Sequence, residues 1–341
     1  MQTAPDVTQA IGRAQDLIRA CRAEAAKRIV GQEGVIDGII TALIAGGHVL
    51  LEGPPGLAKT LVARTFAEIT GMSFKRIQFT PDLLPADITG TLFYEQASGA
   101  FSVRKGPIFT NLVLADEINR AGAKVQSALL EAMAENQVTI GETTYPLGAP
   151  FFVIATENPI EQEGTYALPE AELDRFLLKL IVTYPSRDEE KVIASRSGAA
   201  ADIPVSPVFP YRSILECRAL LDRVACDEGI VDYIVSLAAV TRPQNDPSGQ
   251  ERRQERLQRV SSTGTLKYIS YGASPRGSIA LVRCAKVQAL FAGRPFVLPE
   301  DVKKAAPPVL RHRLLLSYEA AADEVSADDI IAKILSALPV P

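Results

Sequence analysis

This chain is poor in the residues that build metal centres and disulfide frameworks. It has only four cysteines, Cys21, Cys217, Cys226 and Cys284, scattered without metal-ligand or disulfide spacing. They read as reduced thiols in a reducing compartment. The two histidines, His48 and His312, lie far apart, so no His/Cys metal cluster is expected, and His48 at the head of an apolar run reads as structural. Long hydrophobic runs are also missing. The most apolar window, residues 39–51, is broken by Gly46, Gly47 and His48 and is too short to span a bilayer. The first ten residues lack a basic start followed by an apolar core, so no signal peptide is expected, and a cytoplasmic location is the default. The formal net charge of −4 argues against a dedicated nucleic-acid binder. Low-complexity segments and internal repeats are absent from the sequence.

What remains is an ordinary globular composition, 47% hydrophobic and 22% charged. The 341 residues suffice for about two domains. The chain is organised around residues 49–60. Val49 to Leu51 reads as a buried strand, and Gly53, Pro54, Pro55 and Gly56 turn the chain. Leu57, Ala58, Lys59, Thr60 and Leu61 then open a segment with apolar residues at helix spacing. Strand, Gly-rich turn and helix in that order form a phosphate-binding loop, whose backbone N–H groups and helix dipole favour an anion. In it, Lys59 would reach the β- and γ-phosphates and the Thr60 hydroxyl would ligate Mg²⁺. One departure stands out: Ala58 occupies the place of the second glycine in G-x-x-x-x-G-K-[ST]. Upstream, a helix over 6–28 precedes Val30 and Gly31, which could line an adenine pocket or simply pack a second helix, Val35 to Ala45.

Downstream, Phe74 to Phe79 reads as a strand ending beside Gln78, and Pro81, Pro85 and Gly90 interrupt regular structure. Residues 92–94 and 101–103, flanking Ser98-Gly99, predict a hairpin. Asn111 to Ala115 is a second buried strand, ending in Asp116-Glu117. An acidic pair at the carboxyl end of such a strand suits Mg²⁺ held by Asp116, directly or through water, and a water polarised by Glu117. The alternative is an acidic pair at a helix start. Gly141-Glu142 predicts a second hairpin within 138–147. A third buried strand, Phe151 to Ala155, ends in Thr156-Glu157-Asn158-Pro159, where Asn158 could contact a γ-phosphate or water, or merely start a turn. A fourth strand covers Leu178 to Val182. Helices are expected near 211–226, 229–240, 274–292, 299–306 and 325–337, with Ser274-Pro275 as a helix start. The block 251–259, with four arginines and two glutamates, reads as a solvated helix face or as a nucleic-acid contact.

Taken together, several stretches resemble the AAA+ ATPases, and the MoxR ATPases in particular. They are Glu52-Gly-Pro-Pro-Gly-Leu-Ala-Lys-Thr60, Gln78-Phe-Thr-Pro-Asp-Leu-Leu-Pro-Ala-Asp-Ile-Thr-Gly90, Ala115-Asp-Glu-Ile-Asn-Arg120, Ala155-Thr-Glu-Asn-Pro159, Leu168-Pro-Glu-Ala-Glu-Leu-Asp-Arg-Phe176 and Gly272-Ala-Ser-Pro-Arg-Gly277. The resemblance covers nearly the whole chain, and alanine before the lysine is usual in that family. It implies an α/β fold: a P-loop αβα sandwich with a parallel sheet over residues 1–185, hairpin insertions near 88–106 and 137–148, a linker at 186–210, and a small all-helical lid at 211–341. It implies ATP and Mg²⁺ as cofactors and a homo-oligomeric ring, usually a hexamer. Lys59 and Thr60 match the Walker A pair, Asp116 and Glu117 the Walker B pair, and Asn158 sensor 1. Arg175 matches the arginine finger that reaches a neighbouring subunit, though a salt bridge with Asp174 is its bland alternative. Arg276 matches sensor 2, and its position at a helix start, poor for a cation, favours a ligand role. Gln78 could restrain Glu117 until a partner binds. The function implied is Mg-ATP hydrolysis coupled to remodelling or maturation of a protein client, such as metal-cofactor insertion, often with a partner bearing a von Willebrand factor A domain. The alternatives are a helicase-like nucleic-acid motor and a nucleotide-gated scaffold with negligible turnover; intact Glu117 and Arg175 argue against the scaffold.

Overall fold

A computed structural model describes residues 4–97, 99–159, 164–196, 199–242 and 264–341. The chain divides into two compact units. A sheet unit holds residues 16–176 and 180–216, and a helical unit holds residues 1–15, 177–179 and 217–341.

The sheet unit forms because three short apolar runs cannot be left half-covered. β1 (Val49–Glu52), β5 (Leu112–Asp116) and β8 (Phe152–Glu157) are buried almost throughout, as strands covered on both faces must be. With β2 (Phe74–Gln78) and β9 (Leu178–Ile181) they make a five-stranded sheet in the order β2-β5-β8-β1-β9. The neighbours β2/β5, β5/β8 and β8/β1 are parallel. Their register gathers polar residues at one edge of the sheet. Gln78 lies opposite Asp116, and Glu52 opposite Glu157, so four polar residues line up at the carboxyl ends of four strands. Helices α1 (Ala4–Arg28), α2 (Glu33–Ala45), α3 (Lys59–Thr70), α4 (Pro85–Thr89) and α5 (Ala123–Glu135) accompany these strands in the chain. α3 buries Val62, Ala63, Phe66 and Ile69, one face of a 3.6-residue repeat. One apolar core is closed by Phe79, Ile88, Leu129, Phe151 and Phe176.

Both hairpins form. β3 (Gly90–Glu95) pairs antiparallel with β4 (Ala100–Lys105), although Ser98 in the expected turn lies outside the described residues. β6 (Gln137–Ile140) pairs with β7 (Thr143–Pro146) across Gly141-Glu142, and Gly141 takes a φ of 64°. His48 bridges backbone groups: its Nδ1 accepts from the Val153 N–H at 3.1 Å and its Nε2 lies 3.2 Å from the Met133 carbonyl, which fixes the proton on Nε2.

Three local expectations change. Pro85 does not break the chain but sits in the first turn of α4, where its missing N–H costs nothing. Residues 186–210, expected as a linker, contain α7 (Arg187–Ser195), after the short α6 (Glu170–Leu173). Ser186 caps α7, accepting from the Glu189 N–H while Glu189 reaches back to the Ser186 N–H. The helix expected over 211–226 ends sooner: α8 is Tyr211–Leu220, followed by a 3₁₀ turn at Leu221–Arg223.

The helical unit is built on α9 (Glu228–Val240), α10 (Pro275–Phe291), α11 (Pro299–Leu310), α12 (Tyr318–Ala322) and α13 (Ala327–Ala337), with a small ribbon of β10 (Ile269–Tyr271) and β11 (Leu315–Leu316). α11 runs through Pro307 and Pro308, past the expected end at 306. Cys21, Cys217 and Cys284 are buried, and Cys226 is half-exposed. Burial pushes the Cys21 and Cys284 thiols up to about 12. Among the described residues no cluster of three or more His, Cys, Asp or Glu could hold a metal, and no helix is long and apolar enough to cross a membrane. The arginine-rich block Arg252 to Arg259 lies outside the described residues.

Candidate nucleotide-binding site

The loop between β1 and α3 is shaped by two backbone demands. Gly53 must be glycine because a Cβ there would stand 2.6 Å from the Val182 carbonyl oxygen. Gly56 has a φ of 81°, the left-handed region. Ala58 also adopts that region, with φ 54° and ψ 24°, so the loop keeps the turn a glycine would make there despite the Cβ. Leu57 and Leu61 flank it, and α3 begins at Lys59. Lys59 folds back over the loop, and its Nζ donates to the carbonyls of Gly53 (2.6 Å) and Glu157 (3.1 Å). Burial pulls its pKa below the usual lysine range, against the opposing pull of Asp116, Glu117, Glu157 and Glu52. A half-buried cation at the start of a helix that follows a tight turn is an arrangement that can receive an anion.

The acidic pair lies beside it. The Thr60 Oγ1 is 3.5 Å from Asp116 Oδ2. Asp116 is buried, and its Oδ1 accepts from the Thr156 hydroxyl at 2.7 Å. Thr156 Oγ1 in turn accepts from the Glu117 N–H at 2.8 Å, so one buried hydroxyl fixes both acidic residues. The Arg76 guanidinium donates to Asp116 Oδ2 from Nε (2.9 Å) and a terminal nitrogen (2.7 Å), and to Gln78 Oε1 at 2.7 Å. Gln78 Nε2 then donates to Glu117 Oε2 at 2.8 Å, and Arg120 approaches the same oxygen at 3.0 Å. Glu117 has a φ of 57°, an uncommon conformation for this residue type, which this network over-determines. A hydroxyl and a carboxylate oxygen on adjoining elements are the hard donors a Mg²⁺ ion selects, so Thr60 and Asp116 fit that ion.

Beyond the loop opens a cavity of about 370 Å³. Its walls include Ile29, Val30, Leu61, Tyr184 and Ile193 with loop residues Pro55 to Ala58. Val30 is part of that lining. Gly31 is outside that lining; it turns the chain at φ 66° beside Glu189. The wall from α7 (Glu190 and Ile193) and from Arg196 just after it was missed by sequence reasoning, and the capping pair Ser186 and Glu189 was the signal that could have found it. Arg76, Arg120 and the double role of Thr156 were missed as well; strand register reveals Arg76 and Thr156, and the 3₁₀ turn after β5 brings in Arg120.

The remaining candidates fall elsewhere. Asn158 is buried just past the end of β8, next to the Glu157 carbonyl that Lys59 reaches. Arg175 follows α6, half-buried, and its side chain makes no hydrogen bond or ion pair among the described residues. Arg276 is exposed in the first turn of α10, in the helical unit; Ser274 Oγ accepts its backbone N–H, and its side chain is likewise unpaired among the described residues.

Comparison with known proteins agrees with this geometry. Residues 48–178 match the family described as ATPase family associated with various cellular activities (AAA), and residues 262–334 match the AAA lid domain. The chain is 43% identical to the chaperone MoxR1 of Mycobacterium tuberculosis, over 93% of this chain and 81% of that protein. It is 30% identical to the MoxR protein of Methylorubrum extorquens, over 93% of each. The crystal structure of a presumed ATPase from Cytophaga hutchinsonii is 44% identical and superposes with a TM-score of 0.86, covering 98% of this chain and 97% of that one. An αβα nucleotide fold followed by a helical lid, and identity sustained across most of both chains, make this chain a member of the MoxR family of AAA+ ATPases, chaperone-like enzymes that hydrolyse ATP.

Proposed function

We propose that ATP binds with its base in the cavity walled by Val30 and α7 and its phosphates on the loop Gly53–Thr60. Lys59 would neutralise the β- and γ-phosphates, and Thr60 and Asp116 would hold Mg²⁺. When bound, that ion supplies charge neutralisation on the phosphate oxygens. Glu117 would orient the attacking water, and Asn158 would hold the water or the γ-phosphate. Arg175 and Arg276, cations without internal partners among the described residues, would complete the charge complement, Arg175 on the nucleotide of a neighbouring subunit. Arginine suits this because it stays charged and grips phosphate as a fork. The observation that carries the reading is the register. It sets Gln78, Asp116 and Thr156 side by side at the strand ends, within reach of Thr60.

The assembly we infer is a homo-oligomeric ring, a hexamer by analogy with the family. It would work on a protein client, with metal-cofactor insertion or complex maturation as the theme and a von Willebrand factor A domain protein as partner. Gln78 would restrain Glu117 until that partner engages, consistent with their 2.8 Å contact. The nucleic-acid motor reading is not favoured: the net charge is −4, and no observation on the site calls for a polynucleotide.

Glu117→Gln, loaded with Mg-ATP and recovered from native lysate, tests this. It should retain nucleotide and co-purify with a protein that Lys59→Ala does not capture. Nuclease-sensitive nucleic acid on the Glu117→Gln protein alone would overturn the remodelling reading in favour of the motor.

A further inference from the structure

β2 lies at one edge of the five-stranded sheet, and its side chains alternate between two faces. Ile77 is buried on one face. Arg76 and Gln78 share the other, and register sets Gln78 directly opposite Asp116 on β5. The strand thus delivers the Arg76 guanidinium to the Asp116 carboxylate. Nε and a terminal nitrogen both donate to Oδ2, at 2.9 and 2.7 Å. An ionised carboxylate offers roughly four acceptor positions. Arg76 takes two of them, and the Thr156 hydroxyl takes another on Oδ1. Oδ2 is also the oxygen that faces the Thr60 hydroxyl, at 3.5 Å. Arg76 therefore occupies the oxygen that a metal shared by Thr60 and Asp116 needs, whether the carboxylate takes the ion directly or through a water.

The two partners differ in exposure, and that decides which of them can move. Asp116 is buried, so its charge is costly unless a cation faces it. Arg76 supplies that cation. Its own side chain is 49% exposed, so solvent replaces its contacts readily. An ion pair with one partner so exposed is weak beside the attraction of the same oxygen for a divalent ion. The terminal nitrogen also donates to Gln78 Oε1 at 2.7 Å, a second partner that keeps the guanidinium on this face when Asp116 is given up.

We propose that Arg76 is a positioning residue that stands in for the metal at Asp116. It neutralises and orients the carboxylate while no ion is held, and it releases Oδ2 when Mg²⁺ enters with the nucleotide. This rests on the reading of Thr60 and Asp116 as the pair that holds Mg²⁺. Arg76 then sets how strongly metal and nucleotide reinforce each other. Without metal, its charge offsets a carboxylate that repels the phosphates; with metal, the same charge competes for the oxygen.

The test uses ADP, so that turnover does not intervene. Affinity for a fluorescent ADP analogue is measured in EDTA, and Mn²⁺ binding at saturating ADP is followed by electron paramagnetic resonance. Arg76→Gln should bind the analogue several-fold more weakly in EDTA, yet half-saturate at roughly tenfold less Mn²⁺ than wild type. Arg76→Lys, which keeps the charge and loses the fork, should fall between the two. The opposite signs separate competition from damage to the fold, which would weaken both. Asp116→Asn tests the underlying metal reading and should need at least roughly tenfold more Mn²⁺. If it does, and Arg76→Gln leaves the Mn²⁺ requirement unchanged or higher, or binds the analogue in EDTA as wild type does, the stand-in role is overturned and the metal site stands. If Asp116→Asn leaves Mn²⁺ binding unchanged, the metal reading fails and the inference fails with it.

Discussion

Replacing Thr156 with valine tests the geometry of the acidic pair. The two side chains have nearly the same shape, but valine has no hydroxyl, and this hydroxyl makes two bonds in a fully buried place. The bond it donates to the Asp116 carboxylate, at 2.7 Å, is charge-assisted and worth about 1.5–3 kcal/mol. The Glu117 N–H it accepts would be left unpaired, at about 1–3 kcal/mol. The extra methyl returns up to ~0.8 kcal/mol. Thr156→Val should therefore destabilise the chain by about 2–5 kcal/mol, and Thr156→Ser, which keeps both bonds and loses one buried methyl, by about 1 kcal/mol. Urea unfolding followed by circular dichroism reads this as a lower midpoint at constant slope. Because the valine variant leaves Lys59 and the loop untouched, it should still bind ATP while turnover falls. Valine and serine variants equal within ~0.5 kcal/mol would refute the argument that one hydroxyl braces both acids.

The other predictions are independent of that one. Lys59 is held below the usual lysine range by burial, so the folded protein binds fewer protons there than the unfolded chain as pH climbs towards 10.5. Stability from this residue should rise with pH through that window, while ATP affinity, which needs the charged form, should fall; both trends should vanish in Lys59→Ala, which should itself bind ATP very weakly. Titrating nucleotide affinity from about pH 8 upward checks this, and an affinity flat with pH would contradict it. Gly53→Ala places a Cβ 2.6 Å from a backbone carbonyl and should cost about 1–3 kcal/mol, measured by thermal unfolding. Gln78→Ala frees Glu117 from its 2.8 Å contact and should raise basal ATPase turnover several-fold; turnover unchanged or lower would remove the restraint from the mechanism.

Much of the sheet unit is legible in the sequence, for a physical reason. β1, β5 and β8 are covered on both faces, so their sequences are unbroken apolar runs that announce themselves. Gly141-Glu142 marks its hairpin because a two-residue turn needs a residue that tolerates positive φ. Ala58 shows the limit of that logic: the backbone needed the left-handed region, and an alanine took it. α7 escaped notice because it buries none of its nine residues fully, leaving only the Ser186 cap as a signal. Arg76, Arg120 and Thr156 were invisible as a group because they meet only through strand register and a tight 3₁₀ turn.

The distribution of thiols has a practical consequence. Electrophiles attack the thiolate, and three cysteines are sealed from solvent, two of them with ionisation pushed to about 12. That leaves half-exposed Cys226, whose own ionisation is raised more modestly. A slow maleimide reaction should therefore take up one dye per native chain and four after denaturation. The wild-type protein thus offers a single spectroscopic reporter in its helical unit, and nucleotide-dependent rearrangement there can be followed by fluorescence without engineering a cysteine.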